Sequence, residues 1–206
     1  DIKRMGKIDA DGTASIKLPK NYMKKVLREA KKLQKLYEDD GWSLTFKTVD
    51  SFIKCKEFSE IDNDVVVENQ EARIFGIPPF SVVEKSKKKE DAKSLFVTSN
   101  QEIASWLNSF RMETVAIGYY VEWIYVEKEA SIKGSCSWST ATGQQDENFV
   151  SITTYDIEFN EGWNTIIHSI DEVFESKNGM SYPVKMSIST PDNLPDDVQV
   201  YLFEPK

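Results

Sequence analysis

Residues 119–139 read YYVEWIYVEKEASIKGSCSWS, and residues 149–170 read FVSITTYDIEFNEGWNTIIHSI. In both stretches apolar and aromatic side chains alternate with polar ones, and this period of two is typical of strands with one buried face. Turn residues interrupt the alternation at positions 127–129 and 160–162, and the second turn fits a three-residue hairpin loop with Gly162 in a left-handed conformation. The two stretches therefore predict antiparallel strands joined by tight connections.

The same pattern continues to the end of the chain, where residues 182–189 and 198–203 predict two further strands. Many strands with only two helices indicate an α+β or mainly β protein rather than a parallel α/β fold. We expect an antiparallel β-sandwich-like domain with one or two packed amphipathic helices. A single domain spans residues 1–206, with an N-terminal hairpin plus helix in residues 1–41 and a β-rich core in residues 113–206.

The N-terminal region begins with GKIDADGTASIKLP at residues 6–19, which predicts a hairpin turning at Asp11 and Gly12. A helix is predicted for residues 21–38, with Asn21 as its N-cap and a stop at residues 39–41. One side of this helix carries an apolar stripe that we expect to pack on the sheet, namely Met23, Val26, Leu27, Ala30, Leu33 and Tyr37.

A second helix is predicted to begin at Ser99, because Ser99 and Glu102 have the spacing of a capping box. Its expected buried stripe consists of Ile103, Trp106, Leu107 and Phe110.

Charge is unevenly distributed along the chain, whose formal net charge is -8. Residues 1–37 contain eleven basic and four acidic side chains, a net of +7, so the remainder carries -15. An acidic body excludes a protein that wraps nucleic acid, since that function needs many neutralised phosphates. The basic face of the first helix has three interpretations: an ordinary solvated face, docking against the protein's own acidic sheet, or binding to an anionic partner.

The two cysteines, Cys55 and Cys136, are 81 positions apart and do not have the spacing of a metal site. In an oxidising compartment they are able to pair, and closing so long a loop contributes on the order of 4 kcal/mol. Nothing in the sequence places their strands side by side. We therefore expect two reduced thiols that are not bonded to each other.

Three segments, GKIDADGTASIKLP, YVEKEASIKGSC and YDIEFNEGWNTI, together resemble a loose group of exported bacterial proteins, often lipid-anchored and β-rich, of unknown function. The resemblance implies a periplasmic or cell-surface location, with membrane attachment only through an anchor preceding the chain. It supplies no functional residues. Glu161 departs from the basic or small residue expected at that place in the group's hairpin.

Catalytic groups are few, and His168 is the only histidine. A two-histidine metal site is therefore impossible, no cofactor-binding motif is present, and we expect His168 to be structural. Three carboxylates stand on predicted strands: Glu122, Asp156 and Glu158. They indicate either a solvent-facing surface or, as the alternative function, a glycan hydrolase using paired carboxylates.

Five tryptophans offer a second route to function, because exposed aromatic rings on a sheet can stack on sugars. Trp123 and Trp138 are the candidate ligand-binding residues, and Trp138 is expected to be exposed because it adjoins the polar loop that begins near Ser139. The scarcity of catalytic groups favours a non-catalytic binding or structural module, and the resemblance implies that this module is exported and envelope-associated. Its candidate partners are a glycan or another envelope protein.

Overall fold

In the computed structural model, the stretches of alternating sequence form long strands. The structure describes residues 5–37, 43–57, 60–77, 80–84, 91–144 and 146–204. Five consecutive strands of the main sheet have nine or more residues: β8 (Gly118–Val126), β9 (Ala130–Ala141), β10 (Asn148–Phe159), β11 (Gly162–Glu175) and β12 (Ser181–Ser189). β12 (Ser181–Ser189) and β13 (Gln199–Phe203) confirm the two predicted closing strands.

Shorter elements precede these strands. The N-terminal hairpin consists of β1 (Gly6–Ile8) and β2 (Ala14–Ile16), and it is followed by α1 (Tyr22–Leu36). Two 3-10 helices, Val49–Phe52 and Lys54–Glu57, come next. The remaining elements are β3 (Glu60–Asn63), β4 (Val66–Glu68), β5 (Ile74–Gly76), β6 (Phe80–Val82), β7 (Lys93–Thr98) and α2 (Gln101–Asn108).

Eleven of the described strands form one mixed sheet, and β1 and β2 form a separate hairpin. The main order across the sheet is β13-β7-β8-β11-β12-β10-β9-β3. The predicted fold class, mainly β with two helices, is confirmed. Among the described residues, no helix combines the length and the apolar character needed to cross a bilayer.

The prediction of a left-handed Gly162 is confirmed, but the prediction that residues 160–162 form a hairpin loop is wrong, because the two strands that they connect are not paired with each other. Gly162 has a φ of 105°. Strand β12 lies between β10 and β11, antiparallel to β11 and therefore parallel to β10. The buried Asn164 side chain holds the loop in place of ladder bonds: its Oδ1 accepts from Asn160 N at 2.9 Å, and its Nδ2 donates to Asn160 O at 2.8 Å.

Because φ at Gly162 is positive, we expect Gly162→Val to lower the free energy of unfolding by about 1 kcal/mol or more. A Cβ atom at Gly162 would lie in open space, so strain in the backbone is the cause and a steric clash is not. Gly76→Val is the matched control, since Gly76 has equally open space and no positive φ. Urea unfolding of the two variants measures the difference, and equal losses in both would refute the conformational explanation.

Side chains pack on both faces of the sheet. The inner face is the one that carries Tyr120, Ile124 and Val126 of β8, and the two 3-10 helices and α2 cover it. On the opposite face, Val121 of β8 packs with Leu95 and Val97 of β7, and Ile8 of the N-terminal hairpin contacts this cluster.

Cys55 and Cys136 form a disulfide, so the prediction of two unbonded thiols is wrong. Their Cα atoms are 6.1 Å apart, which is an ordinary separation for a disulfide. Cys55 belongs to the second 3-10 helix and Cys136 to β9, and both are almost completely buried in the main core. The bond therefore joins the segment that covers the inner face to the sheet beneath it.

Helix α1 is confirmed, but its apolar side chains are less buried in the second half of the helix. Ala30 is buried, whereas Leu33 is 49% exposed and Leu36 is 73% exposed. The expectation that the whole apolar stripe packs on the sheet is therefore wrong, and Leu33→Ala should cost far less than a core substitution. Asn21 occupies the N-cap position without a side-chain capping bond, and the predicted stop at residues 39–41 lies outside the described residues.

The first turn of α1 is held by aromatic contacts. The Tyr22 ring lies 4.8 Å from the Trp163 ring and 6.4 Å from the Tyr125 ring, centroid to centroid. Tyr22 Oη donates to Gly76 O at 2.8 Å, and Trp163 Nε1 donates to Pro19 O at 3.1 Å. These bonds fix the beginning of the helix to β5, β8 and β11.

Helix α2 differs from the prediction at both ends. Its N-cap is Asn100, whose Oδ1 accepts from Ile103 N at 2.9 Å, while Ser99 Oγ accepts from Tyr119 N. Ile103 and Trp106 are buried as expected. Phe110 is 84% exposed, because the chain has already left the helix at residue 109.

Candidate functional site

Trp138, one of the two candidate ligand-binding residues, is 7% exposed and belongs to the main core, so the prediction that it is exposed is wrong. Strand β9 continues to Ala141, three residues beyond Trp138. The alternation of the strand therefore still applies at Trp138 and directs its side chain to the same face as Ile132 and Cys136.

Trp123, the other candidate, is half-buried on the opposite face of the sheet. Its ring lies 5.8 Å from the Phe80 ring, and it packs against the cluster around Val121. Binding of a ligand by Trp123 stays a prediction. Trp106 belongs to α2 and is buried. Trp163 donates a hydrogen bond at the start of α1, and Trp42 lies outside the described residues.

The three carboxylates that suggested a hydrolase do not form one site. Glu122 is on β8 and Asp156 on β10, three strands away, a separation of roughly 14 Å at the usual strand spacing. Asp156 and Glu158 lie close together, and both bind Lys133 Nζ, Glu158 at 3.0 Å. The side chains of Lys133, Asp156 and Glu158 are well exposed, so they form a solvent-facing ion-pair cluster.

The most distinctive polar arrangement on the inner face surrounds His168. Its Nε2 atom lies 2.9 Å from Glu122 Oε2, and its ring stacks on Tyr120 at 4.5 Å with an interplanar angle of 2°. The pairing of β8 with β11 sets His168 directly opposite Tyr120, which explains the stacking. Phe52, from the first 3-10 helix, lies 5.9 Å from the imidazole on another side.

Arg111, which follows the C-terminal end of α2, also contacts Tyr120. One guanidinium nitrogen donates to Tyr120 Oη at 3.0 Å, and the guanidinium carbon lies 5.3 Å from the Trp106 ring and 5.6 Å from the Tyr120 ring. The turn that delivers Arg111 is strained, because Phe110 and Arg111 both have positive φ, at 56° and 66°. The cation–π contacts of Arg111 are the kind of interaction that offsets such strain.

Burial dominates the electrostatics of this His168 cluster, which we define as Arg111, Tyr120, Glu122 and His168. Desolvation lowers the pKa of His168 below its ordinary value, although Glu122 opposes the effect. The hydrogen bond to His168 lowers the pKa of Glu122, and burial raises the pKa of Tyr120 to about 12. Near neutral pH the cluster therefore holds a neutral imidazole beside an ionised carboxylate, whose side chain is 54% exposed.

These pKa directions predict that acid destabilises the protein. A histidine whose folded-state pKa is depressed contributes stability above its unfolded value of about 6.5, and this stability is lost as the pH falls below that value. Glu122 acts in the same direction below its own ordinary pKa of 4.5. Since His168 is the only histidine, we expect the unfolding free energy to fall between pH 7 and pH 5 by up to about 1.4 kcal/mol per pH unit.

His168→Gln supplies the control for this pH dependence. The variant should be less stable than the wild type at pH 7 and should show a much flatter dependence between pH 7 and pH 5. Chemical denaturation at a series of pH values measures both. An unchanged slope in the variant would show that other groups cause the acid sensitivity.

A shallow cleft of about 440 Å³ lies between α2 and the segment that follows it. Its lining consists of Gln101, Glu102, Ser105, Thr114, Val115 and Ala116. Among the described residues of this lining, Glu102 is the one titratable side chain, so these residues do not supply a pair of groups for acid–base catalysis. Within the described ranges, no three His, Cys, Asp or Glu side chains come together as a metal site would require.

Sequence reasoning identified His168 and Glu122 separately but missed Arg111 and Tyr120. A signal for Tyr120 was present, because a lone charge at Glu122 within an aromatic strand shares its face with residue 120.

Comparison of the chain with protein-family models, with curated proteins and with solved structures finds no match.

Proposed function

We propose that the protein is an exported, envelope-associated, non-catalytic module that binds a partner or serves a structural role. The observation that carries the proposal is the buried Cys55–Cys136 disulfide, which lies in the main core. Disulfides of this kind form and persist in oxidising compartments and are rare in the cytosol. The disulfide thus supports a periplasmic or cell-surface location independently of the resemblance.

The His168 cluster supports the non-catalytic part of the proposal. His168 is 4% exposed, and its ring is enclosed by Tyr120, Phe52 and Glu122. A general base must lie within hydrogen-bond reach of the proton that it removes. A substrate would have to displace Glu122 or the covering 3-10 helix to reach the imidazole, so the cluster is better suited to holding the inner face together.

Geometry gives no support to the alternative, a glycan hydrolase using paired carboxylates. Such an enzyme needs two carboxyl groups roughly 5 to 9.5 Å apart across a sugar site, one of them able to donate a proton. Asp156 and Glu158 are near each other, but both bind Lys133 Nζ on an exposed part of the sheet and do not flank a site for a sugar.

A hydrolysis screen tests this proposal. Purified wild-type protein should release no sugar from a panel of soluble glycans above the level of the Asp156→Asn and Glu158→Gln variants. Both substitutions lie on an exposed face, so their unfolding midpoints should remain close to that of the wild type. Turnover that disappears in either variant without a change of midpoint would contradict the proposal.

A further inference from the structure

The basic side chains of α1 all lie on one side of the helix. At about 100° per residue, six cations fall within an arc of roughly 120°, namely Lys24, Lys25, Arg28, Lys31, Lys32 and Lys35. Every one of them is exposed. The centre of this arc lies about 140° to 160° around the helix axis from the half-buried Met23 and Val26 and the buried Ala30, so the cations point away from the body of the protein.

The rest of the described protein does not neutralise this basic face. Glu29 pairs with Arg28 at 3.6 Å and with Lys32 at 3.5 Å, and both pairs lie within the helix. No ion pair in the described parts of the chain joins α1 to a distant strand, so nothing among these residues supports the interpretation that the basic face docks against the protein's own acidic sheet. The helix carries +5 in a protein of net charge -8, and its charge is complementary to an external anion.

An apolar surface adjoins the basic face at the second half of the helix. Leu36 is 73% exposed and Leu33 is 49% exposed. Around the helix axis, Leu36 lies about 20° from Lys25 and about 40° from Lys32, so cationic and apolar side chains share one edge. The first turn is anchored through Tyr22. Near the end of the helix, Leu33 lines a small surface pocket with Ser43 and Leu44, and Leu36 is the more exposed of the two leucines.

We propose that α1 docks the protein on the surface of an anionic phospholipid bilayer. The lysines of the basic face contact headgroup phosphates, and Leu33 and Leu36 enter the boundary between headgroups and acyl chains. Basic amphipathic helices bind interfaces through this combination of charge and buried apolar area. A soluble polyanion would engage the lysines alone, so the exposed leucines favour a bilayer. This inference rests on the proposed function, for which it supplies the partner.

Vesicle co-sedimentation tests the charge requirement. Wild-type protein should bind vesicles of equal parts phosphatidylglycerol and phosphatidylcholine, and should not bind pure phosphatidylcholine. Each lysine near an anionic surface contributes about a five-fold factor, so Lys31→Glu combined with Lys35→Glu should weaken binding by about 25-fold or more. The matched control combines Lys177→Glu with Lys185→Glu, which makes the same change in net charge at exposed positions and should bind as the wild type does.

A second pair of variants tests the apolar requirement. Leu33→Ser combined with Leu36→Ser should weaken binding to the anionic vesicles several-fold and leave binding to soluble polyphosphate unchanged. Phe110→Ser combined with Met112→Ser, which removes the highly exposed apolar side chains beyond α2, is the control and should have no effect on vesicle binding.

Three results would overturn the inference. The first is no binding of wild-type protein to anionic vesicles, and the second is an equal loss of vesicle binding in a double variant and in its control. The third is tight binding to polyphosphate together with no effect of the leucine substitutions on vesicle binding. The last result would assign the basic face to a soluble polyanion. Absence of vesicle binding together with absence of hydrolysis would refute this inference and leave the proposed function standing.

Discussion

Replacing Cys55 and Cys136 together by alanine is expected to lower the free energy of unfolding by about 4 kcal/mol. The bond joins residues 81 positions apart, and a cross-link of that span restricts the unfolded chain strongly. Both residues are buried, at 0% and 2% exposure, so the substitution also leaves small voids in the main core. Urea unfolding under non-reducing conditions measures the loss.

Reduction of the wild-type protein is the control for this substitution. A reducing agent should lower stability by a similar amount in the wild type and should have no effect on the double alanine variant. A wild-type protein whose unfolding midpoint does not respond to reduction would contradict the assignment of the disulfide as a structural element.

Gly134→Ala is expected to cost about 2 to 5 kcal/mol, because it combines backbone strain with a clash. Gly134 has a φ of 110°, and a Cβ atom there would lie 2.6 Å from Asp64 O. Backbone atoms at this position cannot move away easily, because Asp64 N donates to Ser135 O at 3.0 Å and the Asp64 carboxylate accepts from Ser135. The close approach of Gly134 to Asp64 fixes the connection between β3 and β4 against β9.

Gly76→Ala is the matched control for Gly134→Ala, since a Cβ atom at Gly76 meets no other atom within 4 Å. It should leave stability almost unchanged. Thermal or chemical unfolding of both variants gives the comparison. A loss at Gly134 no larger than the loss at Gly76 would show that the connection relaxes freely.

The strands of the main sheet were predictable from sequence because alternation is a local property. β10 illustrates this: Tyr155, Ile157 and Phe159 are buried as expected, and Asp156 and Glu158 between them are exposed. The order of the strands was not predictable. Insertion of β12 between β10 and β11 depends on contacts between distant residues, which a single sequence does not display.

The candidate site was predictable only in part, for the same reason. The burial of His168 agrees with the expectation from its position in a strand, and its structural role stays a prediction. Its stacking on Tyr120 depends on the register of β8 and β11, and the contact with Arg111 depends on a strained turn after α2. The disulfide was missed because Cys55 lies in a short 3-10 helix rather than in the strand expected there.

Helix α1 shows a different limit of prediction from sequence. Its amphipathic pattern predicted the helix correctly, but periodicity cannot tell whether a partner element extends along its whole length. Ala30 is buried, whereas Leu33 is half covered and Leu36 is largely exposed. The same apolar pattern therefore describes a core contact in one half of the helix and an exposed surface in the other.

The redox state of Cys55 and Cys136 in intact source cells tests the central claim most directly, because it reports on both the fold and the compartment. Cells are quenched with acid, the protein is denatured, and free thiols are labelled with a maleimide that adds measurable mass. We expect no labelling of Cys55 and Cys136 before reduction and labelling of both residues after it. Two labels without prior reduction would contradict both the structural disulfide and the proposed export.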